Sequence, residues 1–424
     1  MIRFLLKGIL RDRSRSLFPF LIVTAGVFLT VAFYCYIQGA MTDFVRYGAN
    51  LSYGHVKVMT RAYQKEADQM PNDLALTGLS RLVVELRRAY PDMDWAPRIT
   101  FGGLLDVPDD KGKTKSQGPA AGLGLDLLSP GSLEPQRLDL GKALVRGRLP
   151  AAPGEVLLSD EMALKLKVLP GEKATLIGTT MTGSMAMKNF TVAGTVRFGI
   201  QAMDRTAMIA DLADVQSALD MDDAASQILG FSKDGIYSQD KADAAVGRFN
   251  AQPQDLNDEF RPVMQTLREE AGMGYLLNVM TSMVAVIVFI YLLAMALVLW
   301  NAGLIGTLRR HGEFGLRLAI GEDKGHVYRT MIYESLMIGV LGTIAGTALG
   351  LALSYFLQAK GMDFSGMLKN ITLMMPTVLR ARVTPVAYVI GFIPGILATL
   401  IGSAIAGRRI YKRQTAQLFK ELET

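Results

Sequence analysis

The residues most able to do chemistry together lie between positions 307 and 350. Glu313 and Arg317 stand four apart with the acid N-terminal, the order that pairs best on one helical face. Phe314 and Leu318 form an apolar pair on the neighbouring face, and Gly321 is placed to end the short helix. A small amphipathic helix of this kind has two uses: a connector lying on a membrane surface, or a knob inserted into a cleft on a cytoplasmic partner.

Chemistry of the enzymatic kind is missing. A phosphate-cradling loop needs G-x-x-x-x-G-K-[ST], and no segment fits; Pro170-Gly171-Glu172-Lys173 lacks both the upstream glycine and the following hydroxyl. The stretch Gly118–Gly124 reads as a loop without the strand-then-helix setting of a dinucleotide site. No Ser-x-x-Lys or G-x-S-x-G nucleophile is present. One cysteine, Cys35, excludes an intrachain disulfide or a multi-cysteine zinc site, and His55, His311 and His326 offer little to a metal. The expectation is a non-catalytic chain with no cofactor or metal of its own.

What must position the 313–317 pair is a set of membrane spans. The chain has 424 residues, 50% of them hydrophobic and 20% charged. Stretches near 17–38, 275–305, 331–357 and 386–407 each supply the roughly 20 apolar residues a spanning helix needs. They are nearly free of charge, and a charge at the bilayer centre costs at least ~2.5–3.5 kcal/mol. The first is too long for a cleaved signal peptide and lacks a small-x-small site. Basic residues cluster before the first span (Arg3, Lys7, Arg11, Arg13, Arg15), between the second and third (Arg309, Arg310, Arg317, Lys324, Arg329) and after the fourth (Arg408, Arg409, Lys412, Arg413). Under four spans all three fall on one side, which puts both termini in the cytoplasm. The net charge of +6 is therefore topological and gives no support to nucleic-acid binding.

The expected organisation is an interfacial helix at 1–16 and a first span at 17–39. An extracytoplasmic domain at 40–273 and a second span with a stalk at 274–306 follow. A cytoplasmic coupling loop at 307–329, a third span at 330–357, an outer loop at 358–384, a fourth span at 385–407 and a tail at 408–424 complete it. The fold class is a membrane protein of four transmembrane α-helices, one before and three after a large α+β domain. Strand signals in that domain cover Asp94–Leu105, Glu155–Leu158, Ala174–Ile177 and Phe190–Phe198. Helical patterns cover Leu79–Tyr90, Asp160–Leu166, Leu212–Leu219 and Lys241–Phe249. The stretch Pro108–Pro119 reads as a polar surface loop. Polar residues at 257–270 suggest that the second span's helix begins outside the bilayer. Met181, Met185 and Met187, between two strand signals, form either an adaptable surface for an outer partner or ordinary packing. Gly342, Gly346 and Gly350 in the third span, and Gly391 and Gly395 beside Pro394 in the fourth, let helices approach closely in lipid. They serve either the bundle of one chain or a dimer interface, and Pro394 should bend its helix.

The pattern Arg310-x-x-Glu313-Phe314-Gly315-x-Arg317-x-Ala319-x-Gly321, with Glu334 and the glycines of the third span, resembles the FtsX-like permease family. That family includes the lipoprotein-releasing permeases and the MacB exporters. Phe314 replaces the usual isoleucine of the motif. The order of one span, a large outer domain and three spans also matches. The resemblance implies that Arg310, Glu313, Phe314, Gly315, Arg317, Leu318 and Gly321 belong to a coupling helix docked on a separate ABC ATP-binding subunit, two copies per complex. ATP and Mg would be bound by that partner. It also implies a second permease chain, the same or homologous, and transmission of motion to the outer domain. The leading expectation is extraction of a lipid-anchored or hydrophobic substrate, a lipoprotein, from the inner membrane and its release to a periplasmic carrier. Its alternatives are efflux through an adaptor and outer-membrane duct, and control of a cell-wall hydrolase.

Overall fold

The computed structural model describes residues 13–109, 111–199, 201–251, 258–270, 272–308, 316–363 and 378–412. Expectations for the interfacial helix at 1–16 before Arg13, and for Arg310, Glu313, Phe314 and Gly315, lie outside them. The chain divides into two compact units. One holds residues up to Asp43 together with 278–364 and 378–424; the other spans Phe44–Leu277 and 365–377.

In chain order, α1 (Arg13–Gly48) continues into a π-helical turn at Ala49–Tyr53. Then come β1 (Val56–Thr60), β2 (Leu76–Thr77), α2 (Leu79–Ala89), β3 (Met93–Pro108), β4 (Thr114–Leu125), β5 (Leu144–Gly147) and β6 (Glu155–Ser159). They are followed by α3 (Asp160–Leu166), β7 (Lys173–Thr179), β8 (Met185–Val196), β9 (Ala207–Asp211), α4 (Leu212–Leu219), β10 (Ala224–Ala225), β11 (Gln227–Ser232), α5 (Gln239–Asn250) and β12 (Pro262–Thr266). The remaining long helices are α6 (Met273–Leu308), α7 (Lys324–Lys360) and α8 (Thr399–Lys412), the last preceded by a π-helical segment at Ile393–Ala398. Among the described residues four helical stretches are long and apolar enough to cross a membrane: Leu17–Tyr53, Met273–Asn301, Lys324–Lys360 and Pro385–Ile405. By length and composition this is a membrane protein with a large α+β domain between its first and second apolar helices.

The α+β unit is organised by β3. Its first half pairs with β11, which pairs with β1, which pairs with β12, an open antiparallel sheet. Its second half pairs with β4 on one side and β7 on the other. From there β4 meets β9, β9 meets β6, β6 meets β8, and β8 returns to β7. The order β3-β4-β9-β6-β8-β7 therefore closes on itself, which removes free edges along the ring. Phe101, Leu105, Val156, Leu158, Leu176, Phe190, Val192 and Met208 are buried in its principal core, with Met162 and Leu166 of α3 and Val215 of α4. Leu125, Leu157 and Ile209, alternating with those positions, face a second cluster containing Leu138 and Leu140.

Several stretches differ from the sequence reading. The supposed loop at 108–119 is strand from Thr114 on, preceded by a turn at 111–113, and Gly118–Gly124 is the core of β4. Its polar residues face outward while its small ones face inward. Bulk is excluded because the Phe101 ring occupies the place of a side chain at Gly122, and Leu166 and Val215 crowd Gly118 and Gly124. Residues 262–266, expected to lead into a helix, form β12; Asn250 holds Met264 at both its N–H (3.0 Å) and its carbonyl (2.8 Å). Helix α6 starts only at Met273. The first helix extends well past residue 39, to Gly48. The fourth span is irregular, with a π-helical segment that carries Pro394 in its first turn.

In the helical unit, α1, α7 and α8 share the buried face. Helix α6 has only 6% of its most apolar window buried. It packs along one line, with Leu299 on Gly26 and Trp300 on Gly402, while the rings of Phe33 and Tyr291 stack at 4.2 Å.

Candidate functional site

The described part of the candidate coupling segment is a single helical turn, Leu316–Ala319, and its exit. The N–H of Glu322 bonds the carbonyl of Arg317 at 3.0 Å, and that of Gly321 bonds Leu318 at 3.2 Å. These two bonds with Gly321 at φ +95° make a Schellman ending, which satisfies the last carbonyls. Asp323 then caps α7, its carboxylate accepting from the N–H of Gly325 (2.9 Å) and His326 (3.2 Å). Leu318 packs on Val327 and Met331 of α7. The short turn is thereby fixed to the third span through only Gly321, Glu322 and Asp323. Leu316 and Ile320, 57% and 78% exposed, leave an apolar surface open.

The glycines of α7 face α1. A Cβ at Gly342 would meet Val23 at 2.8 Å, at Gly346 the carbonyl oxygen of Thr24 at 2.6 Å, and at Gly350 the Cβ of Val31 at 2.8 Å. Gly391 and Gly395 approach Val27 of α1 together with Thr347 and Thr343 of α7. All five glycines lie inside the bundle of a single chain. The segment 380–384 runs along the outer part of α1: Arg382 donates its N–H to the Cys35 carbonyl (2.9 Å) and its guanidinium to Thr42 (3.0 Å). Gly39 is what allows that passage, since the Arg380 carbonyl occupies the place of a side chain there.

The methionines divide. Met181, in the turn between β7 and β8, donates its N–H to Leu219 at 2.7 Å and packs on the core of its own unit. Met185 and Met187 are 76% and 64% exposed on one face of β8.

A cluster that sequence spacing did not single out joins the π-helical turn to the sheet. Arg98, fully buried on β3, donates to the carbonyls of Leu51 (2.7 Å) and Asn50 (2.8 Å) and to Glu134 (2.7 Å). Arg137 bonds the other oxygen of Glu134 at 2.7 Å, pairs with Asp94 and lies 4.2 Å over the Phe231 ring. Burial pushes the Arg98 pKa down, and the Glu134 carboxylate beside it opposes that. Lys57 on β1 and Glu270, beyond β12, form a second buried pair at 2.6 Å. Burial lowers the lysine's pKa and Glu270 raises it. Only an arginine inside a strand pattern, Arg98, offered a signal in the sequence; its partners are 36 and 47 residues away. Among the described residues no group of His, Cys, Asp and Glu is placed to hold a metal ion.

Residues 285–415 match the profile described as FtsX-like permease C-terminal. The lipoprotein-releasing system transmembrane protein LolC of Xylella fastidiosa is 25% identical over 213 residues, 49% of this chain and 49% of that one. The macrolide export ATP-binding/permease protein MacB of Hyphomonas neptunium is 36% identical over 62 residues, 15% of this chain and 10% of that one. The chain thus spans about half the length of the LolC relatives it matches. The periplasmic region of MacB from Actinobacillus actinomycetemcomitans aligns at TM-score 0.36 and 12% identity, covering 54% of this chain and 91% of that one. By these matches residues 285–415 are an FtsX-like permease C-terminal domain, and the chain is similar to LolC over about half its length and to MacB over a shorter stretch.

Proposed function

We propose that the chain is the membrane subunit of an ABC transporter in the bacterial inner membrane, one that releases lipoproteins from that membrane to a periplasmic carrier. The match over 213 residues to a lipoprotein-releasing protein carries this reading. In it, residues 40–273 lie outside the cytoplasm and both termini inside, as the basic clusters suggest. The turn at 316–322 couples to two copies of a separate ATP-binding chain, which alone binds ATP and Mg. Its rigid seat on α7 supports that role, because a push on Leu318 is passed directly to Val327 and Met331. A second permease chain completes the complex. The exposed Met185 and Met187 are the surface offered to a carrier or adaptor.

The test is charge reversal at Arg317 or Glu313 in the reconstituted complex. Substrate-stimulated ATP hydrolysis should fall at least tenfold while insertion and yield stay unchanged. Full ATP-driven release by both variants would refute the coupling assignment.

The 62-residue match to an export permease favours a second reading, efflux through an adaptor and an outer-membrane duct. Mass spectrometry of what purifies with the chain separates them: a lipoprotein carrier supports the first, an adaptor the second.

A further inference from the structure

The hairpin of β7 and β8 carries an edge that no other strand of the α+β unit covers. The direction of the main-chain groups on β8 follows from both ends of its pairing with β7. The N–H of Val192 donates to the Glu172 carbonyl at 2.9 Å, and the Ser184 carbonyl accepts from the N–H of Thr180 at 2.8 Å. The register between these points is unbroken, so the even-numbered residues of β8 bond β7 and the odd-numbered ones turn the other way. Thr191 shows where that other side leads: its N–H donates to the Gly154 carbonyl at 2.8 Å, beside the start of β6. Strand β6 pairs with β8 only from Thr191 onward. Met185, Met187 and Asn189 therefore point their N–H and C=O groups past the end of β6. Among the described residues these groups meet no hydrogen-bond partner.

Two other edge strands are guarded. On β12 the outward positions are 262, 264 and 266. Pro262 has no N–H, and Asn250 takes both groups of Met264. Glu269 accepts the Thr266 N–H on its carboxylate (2.8 Å) and donates its own N–H to the Thr266 carbonyl (3.1 Å). Strand β5 has four residues and an irregular register at Val145. Folded proteins blunt free strands in these ways because a bare ladder invites another chain. Residues 185–189 have no such guard. Lys188, the charged residue among them, donates to the Asp214 carbonyl at 3.1 Å and so turns away from the opening.

What fits the opening is set by its geometry. Donors and acceptors recur at every second residue, about 6.8 Å apart, a spacing that another extended polypeptide matches. On the outer face Leu104, Ile177 and Met187 are direct cross-strand partners on β3, β7 and β8. None of the three is buried, and their apolar row ends at the opening. A side chain set beside Met187 continues that row and covers its end.

We propose that residues 185–189 of β8 accept an extended segment of a partner protein as an added strand, with an apolar side chain of that segment beside Met187. This deepens the reading of Met185 and Met187 as a partner surface and rests on it.

The test uses the full chain in lipid nanodiscs without ATPase or substrate, so that failure of the transport reading leaves its outcome unchanged. The probe is a capped synthetic peptide with the sequence of β7, Lys173–Thr179, whose isoleucine already lies opposite Met187 on the paired side. Calorimetry should show saturable binding of one peptide per chain. Hydrogen exchange resolved to single residues should slow at least tenfold at Met187 and hold steady at Ala186 and Lys188. Two forms of the peptide, N-methylated at the positions of 174, 176 and 178 or of 175, 177 and 179, should differ in affinity at least tenfold, since only one set of amides faces β8. Met187→Pro removes the central edge donor without touching a bond to β7 and should weaken binding at least tenfold. Met187→Thr keeps that donor and should lose less, and unchanged exchange at Ala186 and Lys188 in both variants reports an intact hairpin. The proposal is overturned if the peptide does not saturate, if the two methylated forms bind alike, or if Met187→Pro binds as tightly as wild type. Protection of Met187 that rises with the number of chains per nanodisc, in the absence of peptide, would put a second copy on the edge and overturn it as well.

Discussion

Replacing Arg98 with methionine removes the cation that bonds the Asn50 and Leu51 carbonyls of the π-helical turn. The side chain is fully buried and supplies three hydrogen bonds, two to main-chain carbonyls and one to Glu134. Methionine fills much of the volume but leaves the Asn50 and Leu51 carbonyls without their donor and Glu134 with Arg137 as its remaining cation. Breaking a buried pair by deleting one partner costs about 3–5 kcal/mol. Hydrogen exchange of β3 and β11 amides in the full chain is the assay, since those strands carry the register around Arg98. At about 1.4 kcal/mol per decade, the loss corresponds to exchange faster by two to three and a half orders of magnitude. The double variant Arg98→Met/Glu134→Leu removes the buried carboxylate left with one cation instead of two and should recover at least half of that loss. Exchange rates for Arg98→Met within fivefold of wild type would refute the reasoning.

Gly346→Leu should force α1 and α7 apart by about 1 Å and cost about 1–3 kcal/mol, with Gly346→Ala intermediate. Thermal unfolding in nanodiscs checks the order, and a wild-type midpoint for the leucine variant counts against the packing. His55 makes the α+β unit acid-sensitive. Its folded pKa lies at about 4, below the 6.5 of the exposed ring, so between those values the unfolded chain binds a proton that the folded one refuses. Stability therefore falls as pH drops through that window and is insensitive to this group above it. His55→Gln should flatten the difference in exchange protection between pH 7 and pH 4.5; an unchanged slope would exclude the imidazole as its source.

Local signals were legible and remote ones were not. Helices α3 and α4 end where the sequence indicates because their boundaries are set within a few residues, by the Asp211 cap before α4 and by Lys167 or Asp220 in left-handed conformation after them. Gly321 was readable for the same reason: only its own backbone angle decides the turn. The strand at 114–125 was missed because its outward lysine and glutamine imitate a loop, while its inward glycines make sense only against Phe101, Leu166 and Val215. The closure of six strands depends on contacts between β7 and β3 some seventy residues apart, which no local pattern encodes. Arg98 and His55 share that limit. A lone arginine or histidine in a strand or at its edge announces nothing until its distant partners are placed. The segment 310–321 stood out by its spacing and its family resemblance, but four of the seven residues named in it lie outside the described part of the chain.

Strand β3 belongs to an open ladder over its first six residues and to a closed ring over most of the rest, with no interruption at the changeover. A polypeptide in extended conformation scarcely stretches, so it works as a tie-rod between the two. Sliding one part against the other requires many ladder hydrogen bonds to be surrendered at once, whereas tilting both together requires none. The α+β unit should therefore answer an applied load by swinging as one body, with any compliance confined to the chain segments that enter and leave it.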